Sequence, residues 1–188
     1  LNIKFNYDGI ERHDKSIRVY GNTYRVDADV VPAYRFRDYT NDFRFDANNY
    51  VAGIEIRPDS GGRIINYPEQ HIKNGIEKNL KTNYQFKRCV RVMKNIREDM
   101  NDNGFRISDQ ISSFGLESLL WNIPDGIFTK YSSMKYIFEE LVDYLYKNMG
   151  SFSMYYEANG IKKLFSKSEI QIAYTNFVKD LKAFYAYE

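Results

Sequence analysis

The sequence is poor in cysteine, histidine and proline, with one, two and four of these residues among 188. The single Cys89 excludes a disulfide within the chain, and with only two distant histidines it excludes a Cys/His zinc cluster. We therefore predict a reducing, cytoplasmic location. A strong charge of one sign is also missing, because 27 basic minus 25 acidic residues leaves +2. Any binding site for a polyanion must therefore be local.

Long apolar runs are absent as well. No stretch approaches the roughly 18 apolar residues that cross a bilayer, so no membrane is expected among the partners. The composition, 43% hydrophobic and 28% charged, is typical of a globular chain of one or two domains. The sequence begins with Leu1 rather than Met, and we expect that a segment is missing upstream.

Alternating polar and apolar residues predict β-hairpins in the first third of the chain. Gly21-Asn22 suits a two-residue turn, and residues 58–62 concentrate Pro, Asp, Ser and Gly between two further strands. Residues 38–49 show little periodicity and are predicted to form a loop. The strands predicted from this pattern are 16–20, 23–31, 53–57 and 63–67.

From Glu69 onwards, apolar residues recur at the three- and four-residue steps of helices. The first helix is weak, with an apolar stripe of Ile72, Ile76 and Leu80 and an interruption at Gly75. Four stronger helices follow: one around Phe86 after a Thr82–Gln85 capping box, one from Ser112 or Ser113 to before Pro124, one from Ser133 to near Gly150, and one after a Ser166–Glu169 capping box.

Strands followed by helices, instead of alternating with them, indicate an α+β fold with antiparallel hairpins and a C-terminal helical bundle. The change of period predicts two domains, 1–68 and 69–188.

Two carboxylates, Asp27 and Asp29, lie two residues apart on a predicted strand and therefore point to the same face. Such a pair repels itself unless something neutralises it, and oxygen ligands of this kind suit Mg²⁺ or Mn²⁺. The alternative is a solvent-facing strand that carries two ordinary acids.

A basic row runs along the Phe86 helix, where Lys87, Arg91 and Lys94 follow helical spacing. This row could hold a triphosphate, or it could be only the solvated face of an amphipathic helix. The next helix opens with Ser112 and Ser113, whose hydroxyls and free backbone N–H groups could receive an anion. The alternative for these serines is a plain N-cap.

Four segments in this order resemble one enzyme family over nearly the whole chain. The family comprises bacterial relatives of cyclic GMP-AMP synthase and oligoadenylate synthetase. These are polymerase-β-like nucleotidyltransferases that make cyclic di- and oligonucleotide signals for phage defence. The segments are 26–33 (VDADVVPA), 64–71 (IINYPEQH), 82–87 (TNYQFK) and 112–117 (SSFGLE).

The resemblance implies roles for individual residues. Asp29 resembles the third metal-binding carboxylate of the family, with Asp27 as its neighbour. Lys94 resembles the lysine that contacts the triphosphate of the nucleotide, and Ser113 the serine that joins it, with assistance from Arg91. Phe114 falls where relatives place an aromatic residue near a base.

The resemblance also implies what the chain lacks. Relatives carry a helix, a Gly-Ser signature and then an Asp-x-Asp pair on a strand, a combination that this sequence does not contain. Residues 1–68 therefore correspond to the remaining strands of the catalytic core, and 69–188 to the helical nucleotide-binding domain. We expect an enzyme that uses nucleoside triphosphates such as ATP or GTP with Mg²⁺ or Mn²⁺. The 188 residues alone should be inactive without the missing N-terminal catalytic segment.

Two other functions fit the same residues. One is a catalytically incomplete sensor module that binds nucleotide or RNA. The other is an interaction domain whose basic helix packs against a protein partner.

If the chain is part of the enzyme, we expect the activator of that enzyme to be RNA or a protein.

Overall fold

The structure, a computed structural model, describes residues 9–39, 48–107 and 110–185. The chain divides into two units, Leu1–Glu69 and Gln70–Glu188. The first contains two three-stranded antiparallel sheets with the orders β1-β2-β3 and β4-β5-β6, and the second contains helices. The predicted α+β fold is thus confirmed. The strands are β1 Ile10–Arg12, β2 Ile17–Val19, β3 Ala28–Val30, β4 Tyr34–Asp38, β5 Val51–Ile56 and β6 Ile64–Asn66.

The first predicted hairpin forms, but its turn lies elsewhere. β2 pairs with β3 in a register that the isolated bridge Asn22↔Arg25 continues. Thr23 and Tyr24 therefore make the turn, and Gly21-Asn22 is not the turn as predicted. The Asn22 side-chain oxygen accepts the N–H of Tyr24 at 2.9 Å, a local bond that asparagine offers in turns. The second strand consequently begins at Ala28 instead of Thr23.

The second predicted hairpin is confirmed as β5 paired with β6. Gly61 and Gly62 have φ of 95° and 83°, a backbone region that favours glycine. β4 was not predicted, although its aromatic and arginine residues alternate; it pairs along its whole length with β5. Residues 40–47 of the predicted loop lie outside the described residues.

Six α-helices occur among the described residues, and the short α4 was not predicted. The capping box at Thr82 is wrong, because Tyr84, with φ of 64°, precedes α2. The Thr82 hydroxyl instead accepts the N–H of Phe86 at 3.1 Å and donates to the Lys78 carbonyl at 2.9 Å. The helices are α1 Pro68–Lys81, α2 Gln85–Asp102, α3 Ser113–Trp121, α4 Asp125–Thr129, α5 Met134–Lys147 and α6 Ser168–Tyr185, with a 3-10 helix at Met149–Met154.

α1 is continuous through Gly75, and it buries the face opposite to the one expected. Its aliphatic row, Ile72, Ile76 and Leu80, is 60%, 47% and 54% exposed. Gly75 and Lys78 are buried instead. The Lys78 ammonium donates to the Ile123 carbonyl and lies 2.6 Å from the Asp125 carboxylate. Polar contacts therefore determine which side of α1 faces inward.

Apolar side chains from α2 to α6 form the core of the second unit. Cys89 is among them, and burial raises the pKa of its thiol to about 11. Among the described residues, no helix is both long and apolar enough to cross a membrane. Core residues with no exposed surface include Phe86, Met93, Leu116, Leu119, Leu120, Phe128, Ile137, Phe138, Leu141 and Leu181.

The start of α3 is fixed by close packing against α6. Ser112 is the N-cap, and its hydroxyl accepts the N–H of Gly115 at 3.0 Å. Tyr174 of α6 is 1% exposed, and its hydroxyl lies against Gly115. A Cβ added at position 115 would lie only 1.7 Å from that hydroxyl. Only glycine at position 115 allows this approach.

We expect Gly115→Ala to lower the free energy of unfolding by about 1–3 kcal/mol or more, because buried Tyr174 must move. The matched control is Gly126→Ala in α4, where an added Cβ meets nothing within 4 Å. That change should be neutral or stabilise by up to about 1 kcal/mol. Urea unfolding of both variants measures the difference, and equal stability of the two would contradict the packing described.

Candidate functional site

Asp27 is held in place by its neighbours. It lies immediately before β3, where Arg18 donates to one carboxylate oxygen at 2.8 Å and the Gly21 N–H donates to the other at 2.6 Å. The bond from Arg18, followed by that from Gly21, lowers the pKa of Asp27. This approach requires glycine at position 21, because a Cβ there would lie only 2.9 Å from the same carboxylate. Both oxygens of Asp27 are therefore already engaged in the hairpin.

Asp29 differs from Asp27 in having open oxygens. It lies in β3, whose three residues are all exposed, and it stands opposite Arg18 in the strand register. Asp29 makes no hydrogen bond or close ion pair with the described residues, although with Asp27 it raises the pKa of Arg18. This carboxylate is available to an outside ligand.

A divalent ion would find only part of its ligand set here. Magnesium is commonly held by one or two carboxylates together with water and substrate phosphates. Asp29 offers one free carboxylate, which fits the chemistry of such a site. However, the described ranges contain no group of three His, Cys, Asp or Glu residues that could hold a metal ion. Among the described residues, Asp29 therefore offers a single carboxylate to such an ion.

The predicted basic row is present on α2. Lys87 and Arg91 are exposed and Lys94 is half-buried. Within the part of the chain that the structure describes, no acidic side chain pairs closely with any of these three cations. Three positive charges over two helical turns attract anions. Lys94 and Lys87 act on Glu117 of α3 as well, where they help His71 to lower the pKa of the carboxyl group.

Arg97, which the sequence analysis missed, links the basic row to Ser113. Its guanidinium donates to the Ile111 carbonyl at 2.8 Å and lies 3.5 Å from the Ser113 hydroxyl. Only 16% of the Arg97 side chain is exposed. Its position three residues after Lys94 continues the same helical face, and this spacing was the signal that could have identified it.

Ser113 and Phe114 form the first turn of α3, and both are exposed. The N-cap predicted here is confirmed for Ser112, which leaves the Ser113 hydroxyl for other partners. Backbone N–H groups at a helix start lack partners within the helix and favour anions. Together with Lys94 and the rest of the row, this turn provides donors and positive charge for a phosphate group, whereas the Arg97 guanidinium is already paired with Glu98.

His71 and Glu117 were not predicted as part of the site. The His71 ring stacks on Phe114 with centroids 4.8 Å apart and planes at 21°. Its Nε2 atom lies 3.7 Å from the Glu117 carboxylate, and this contact is the main cause that lowers the pKa of Glu117. Glu117 follows Ser113 by one helical turn, so its spacing was informative. His71 had no such signal, because its partners lie more than 40 residues away.

A family model for the cGAS/DncV-like nucleotidyltransferase C-terminal helical domain matches residues 73–187. The matched range contains Arg91, Lys94, Ser113 and Phe114. It begins after His71 and leaves out the sheets of the first unit.

Several relatives are cyclic nucleotide synthases. The chain is 42% identical to cyclic GMP-AMP synthase CdnE03 of Staphylococcus schleiferi over 98% of the chain and 57% of that protein. It is 40% identical to cyclic dipyrimidine nucleotide synthase CdnE of Legionella pneumophila over 90% of the chain and 56% of the relative. The chain thus spans a little over half the length of these two curated relatives.

A solved structure has the same fold. It is that of the CdnE cyclic dinucleotide synthase of Elizabethkingia meningoseptica with GTP and Apcpp. The TM-score is 0.85 at 28% sequence identity, and the match covers 97% of this chain and 66% of the other.

We expect the free energy of unfolding to depend less on pH in the acidic range in Glu117→Gln than in the unsubstituted protein. The lowered pKa of Glu117 means that its contribution is complete above its ordinary value of 4.5 and is lost as the pH falls through the folded-state pKa. Urea unfolding between about pH 5.5 and pH 3.5 should therefore show a smaller loss of stability in Glu117→Gln than in the unsubstituted protein. Asp99→Asn, which removes an exposed carboxylate in α2, is the control. Parallel profiles for all three proteins would contradict the His71–Glu117 contact.

Proposed function

Because the chain belongs to the cGAS/DncV-like nucleotidyltransferases, we propose that it is part of an enzyme that makes cyclic di- or oligonucleotides from nucleoside triphosphates. The observation that carries the proposal is the meeting of the basic row of α2 with the first turn of α3. Lys94, Arg91 and Ser113 belong to one unit, and they offer cations and a hydroxyl without close acidic partners. The chemistry of this surface suits a triphosphate.

The proposed reaction joins a ribose hydroxyl to an α-phosphate and releases pyrophosphate. Lys94, assisted by Arg91, neutralises the charge that develops on the leaving phosphates, and Ser113 donates a hydrogen bond to them. Arg97 holds the start of α3 so that the Ser113 hydroxyl is presented in one position. Phe114 offers an aromatic surface to a base.

Asp29 is proposed to be one carboxylate ligand of Mg²⁺ or Mn²⁺. When bound, such ions stabilise the entering and leaving oxygens of phosphoryl transfer. Asp27 takes a different part in this proposal, because Arg18 and Gly21 occupy its oxygens: it fixes the hairpin from which Asp29 projects. The Gly-Ser and Asp-x-Asp combination is absent from the 188 residues. We therefore propose that this chain does not turn over nucleotides by itself.

The cellular setting is also a proposal. A single, buried Cys89 suits the reducing cytoplasm. Cyclic nucleotides made there would act as second messengers, and the family resemblance favours a role in defence against phage.

A sensor module that binds nucleotide without catalysis is the second candidate. The observation that favours it is that Arg18 and the Gly21 N–H already engage both oxygens of Asp27, which makes this carboxylate a poor metal ligand. Both candidates require the site on α2 and α3. They differ only in whether a longer protein with the missing signature produces a linked nucleotide.

We expect Lys94→Ala to weaken ATP binding to this chain about tenfold, because a charged hydrogen bond contributes about 1.5–3 kcal/mol. Ser113→Ala should weaken it less. The control, Lys179→Ala, removes the same charge from an exposed position on α6. Calorimetric titration with ATP measures all three. An equal loss in Lys94→Ala and Lys179→Ala would mean that binding is unspecific attraction, against the proposed site.

Turnover is tested with Mg²⁺ and labelled ATP, GTP, CTP and UTP. The 188 residues should give no product, whereas the protein expressed with a preceding segment that carries the signature should give a phosphatase-resistant product. In that longer protein, Asp29→Ala should lower the rate at least about a hundredfold, the order expected when a catalytic-site group is removed. Asp99→Asn, an exposed acid on α2, is the control. Nucleotide binding without product from the longer protein would favour the sensor.

A further inference from the structure

His71 is the part of the site that neither the sequence pattern nor the proposed reaction uses. It lies in the first part of α1 with 16% of its side chain exposed. Its ring covers one face of Phe114, yet Phe114 remains 46% exposed. The largely covered His71 ring packs against one face of the half-exposed Phe114 ring, which leaves surface of Phe114 open to a further planar group.

Two contacts fix the orientation of the His71 ring. On one side, Nε2 lies 3.7 Å from the Glu117 carboxylate, which is itself only 24% exposed. On the other, the ring is parallel to Phe114 within 21°. Phe114 and Glu117 are three residues apart on α3 and so share one face of that helix. One histidine thus braces two neighbours on the helix that also carries Ser113.

Gly75 follows His71 by one turn and lies beside the Glu117 carboxylate, since a Cβ at position 75 would lie 3.6 Å from it. This is an ordinary van der Waals distance, so the contact between His71 and Glu117 does not depend on glycine at position 75. The second ring nitrogen, Nδ1, is buried and has no hydrogen-bond partner among the described residues. Among the described residues, the stack on Phe114 and the Glu117 contact are therefore the interactions that orient the ring.

We propose that His71 is a positioning residue that holds the Phe114 ring as a stacking surface for the base of the bound nucleotide. The inference rests on the proposed function, since it assumes that a nucleoside triphosphate binds at Lys94 and Ser113. Without His71, the Phe114 side chain loses the ring that stacks on it and can sample several rotamers. Stacking is tolerant of base identity because every base presents a π-face.

The test compares ATP with inorganic triphosphate, which lacks a base. His71→Ala should weaken ATP binding at least about fivefold, the lower end of the effect of base–aromatic stacking. It should leave the affinity for inorganic triphosphate within about twofold. Lys94→Ala should weaken both ligands. His71→Phe keeps a ring against Phe114 while losing the Glu117 contact, and it should restore most of the ATP affinity.

A double-mutant cycle sharpens the test. If His71 acts through Phe114, the loss in His71→Ala/Phe114→Ala should match that in Phe114→Ala alone. Additive losses would overturn the inference, as would equal weakening of ATP and inorganic triphosphate by His71→Ala. Thermal unfolding identifies any variant that does not fold, and His71→Phe then decides: failure to bind ATP more tightly than Phe114→Ala overturns the inference. If the unsubstituted protein binds neither ligand, the proposed function itself fails, which is a distinct result.

Discussion

The contact of Tyr174 with Gly115 is the constraint on which the rest of the helical unit depends. The hydroxyl of Tyr174, a buried residue of the last helix, lies against the backbone of α3 at Gly115, where there is room for a hydrogen atom but not for a Cβ. Because Ser112 caps the same turn, the first residues of α3 cannot shift along the helix axis or rotate without breaking a hydrogen bond or creating a clash. The Ser112 cap and the contact between Tyr174 and Gly115 therefore fix the positions of Ser113 and Phe114.

Polar contacts complete the arrangement around α3. Arg97 reaches the Ile111 carbonyl just before the helix, His71 reaches Glu117 within it, and Lys78 reaches Ile123 and Asp125 just beyond it. These side chains come from two helices that precede α3 in the chain. Desolvated charges are costly unless they are paired, so each contact specifies one placement of its helix. α3 is thus supported at its start, middle and end.

Much of the fold could be predicted from the sequence where the signal was local. Hairpins show as alternation around turn residues, and the later helices as apolar periodicity. The position of the first turn was missed because Asn22 bonds to the Tyr24 backbone, an interaction that competes with the Gly21-Asn22 pattern. The buried face of α1 was missed for a different reason. Apolar periodicity assumes that the aliphatic row is inside, whereas contacts 45 residues away in sequence decided the matter for Lys78.

The candidate site was predictable to a similar extent. The row on α2 was identified from helical spacing, and the serines of α3 from their place at the start of a helix. Arg97 and Glu117 each follow one of these residues by one further helical step. His71 could not be found in this way, since a lone histidine carries no periodic signal and its two partners are on another helix. The roles of Asp29, Lys94 and Ser113 remain predictions that rest on family resemblance and on the open atoms described above.

The exposure of the aliphatic row of α1 affects which substitutions this helix tolerates. Ile72, Ile76 and Leu80 keep 60%, 47% and 54% of their surface exposed, so substitutions there should cost this unit less stability than substitutions of its fully buried residues. Three large aliphatic side chains on one exposed face form an apolar patch of the kind that another surface covers. Substitutions at these three positions should therefore act on whatever contacts that face more than on the folding of the unit.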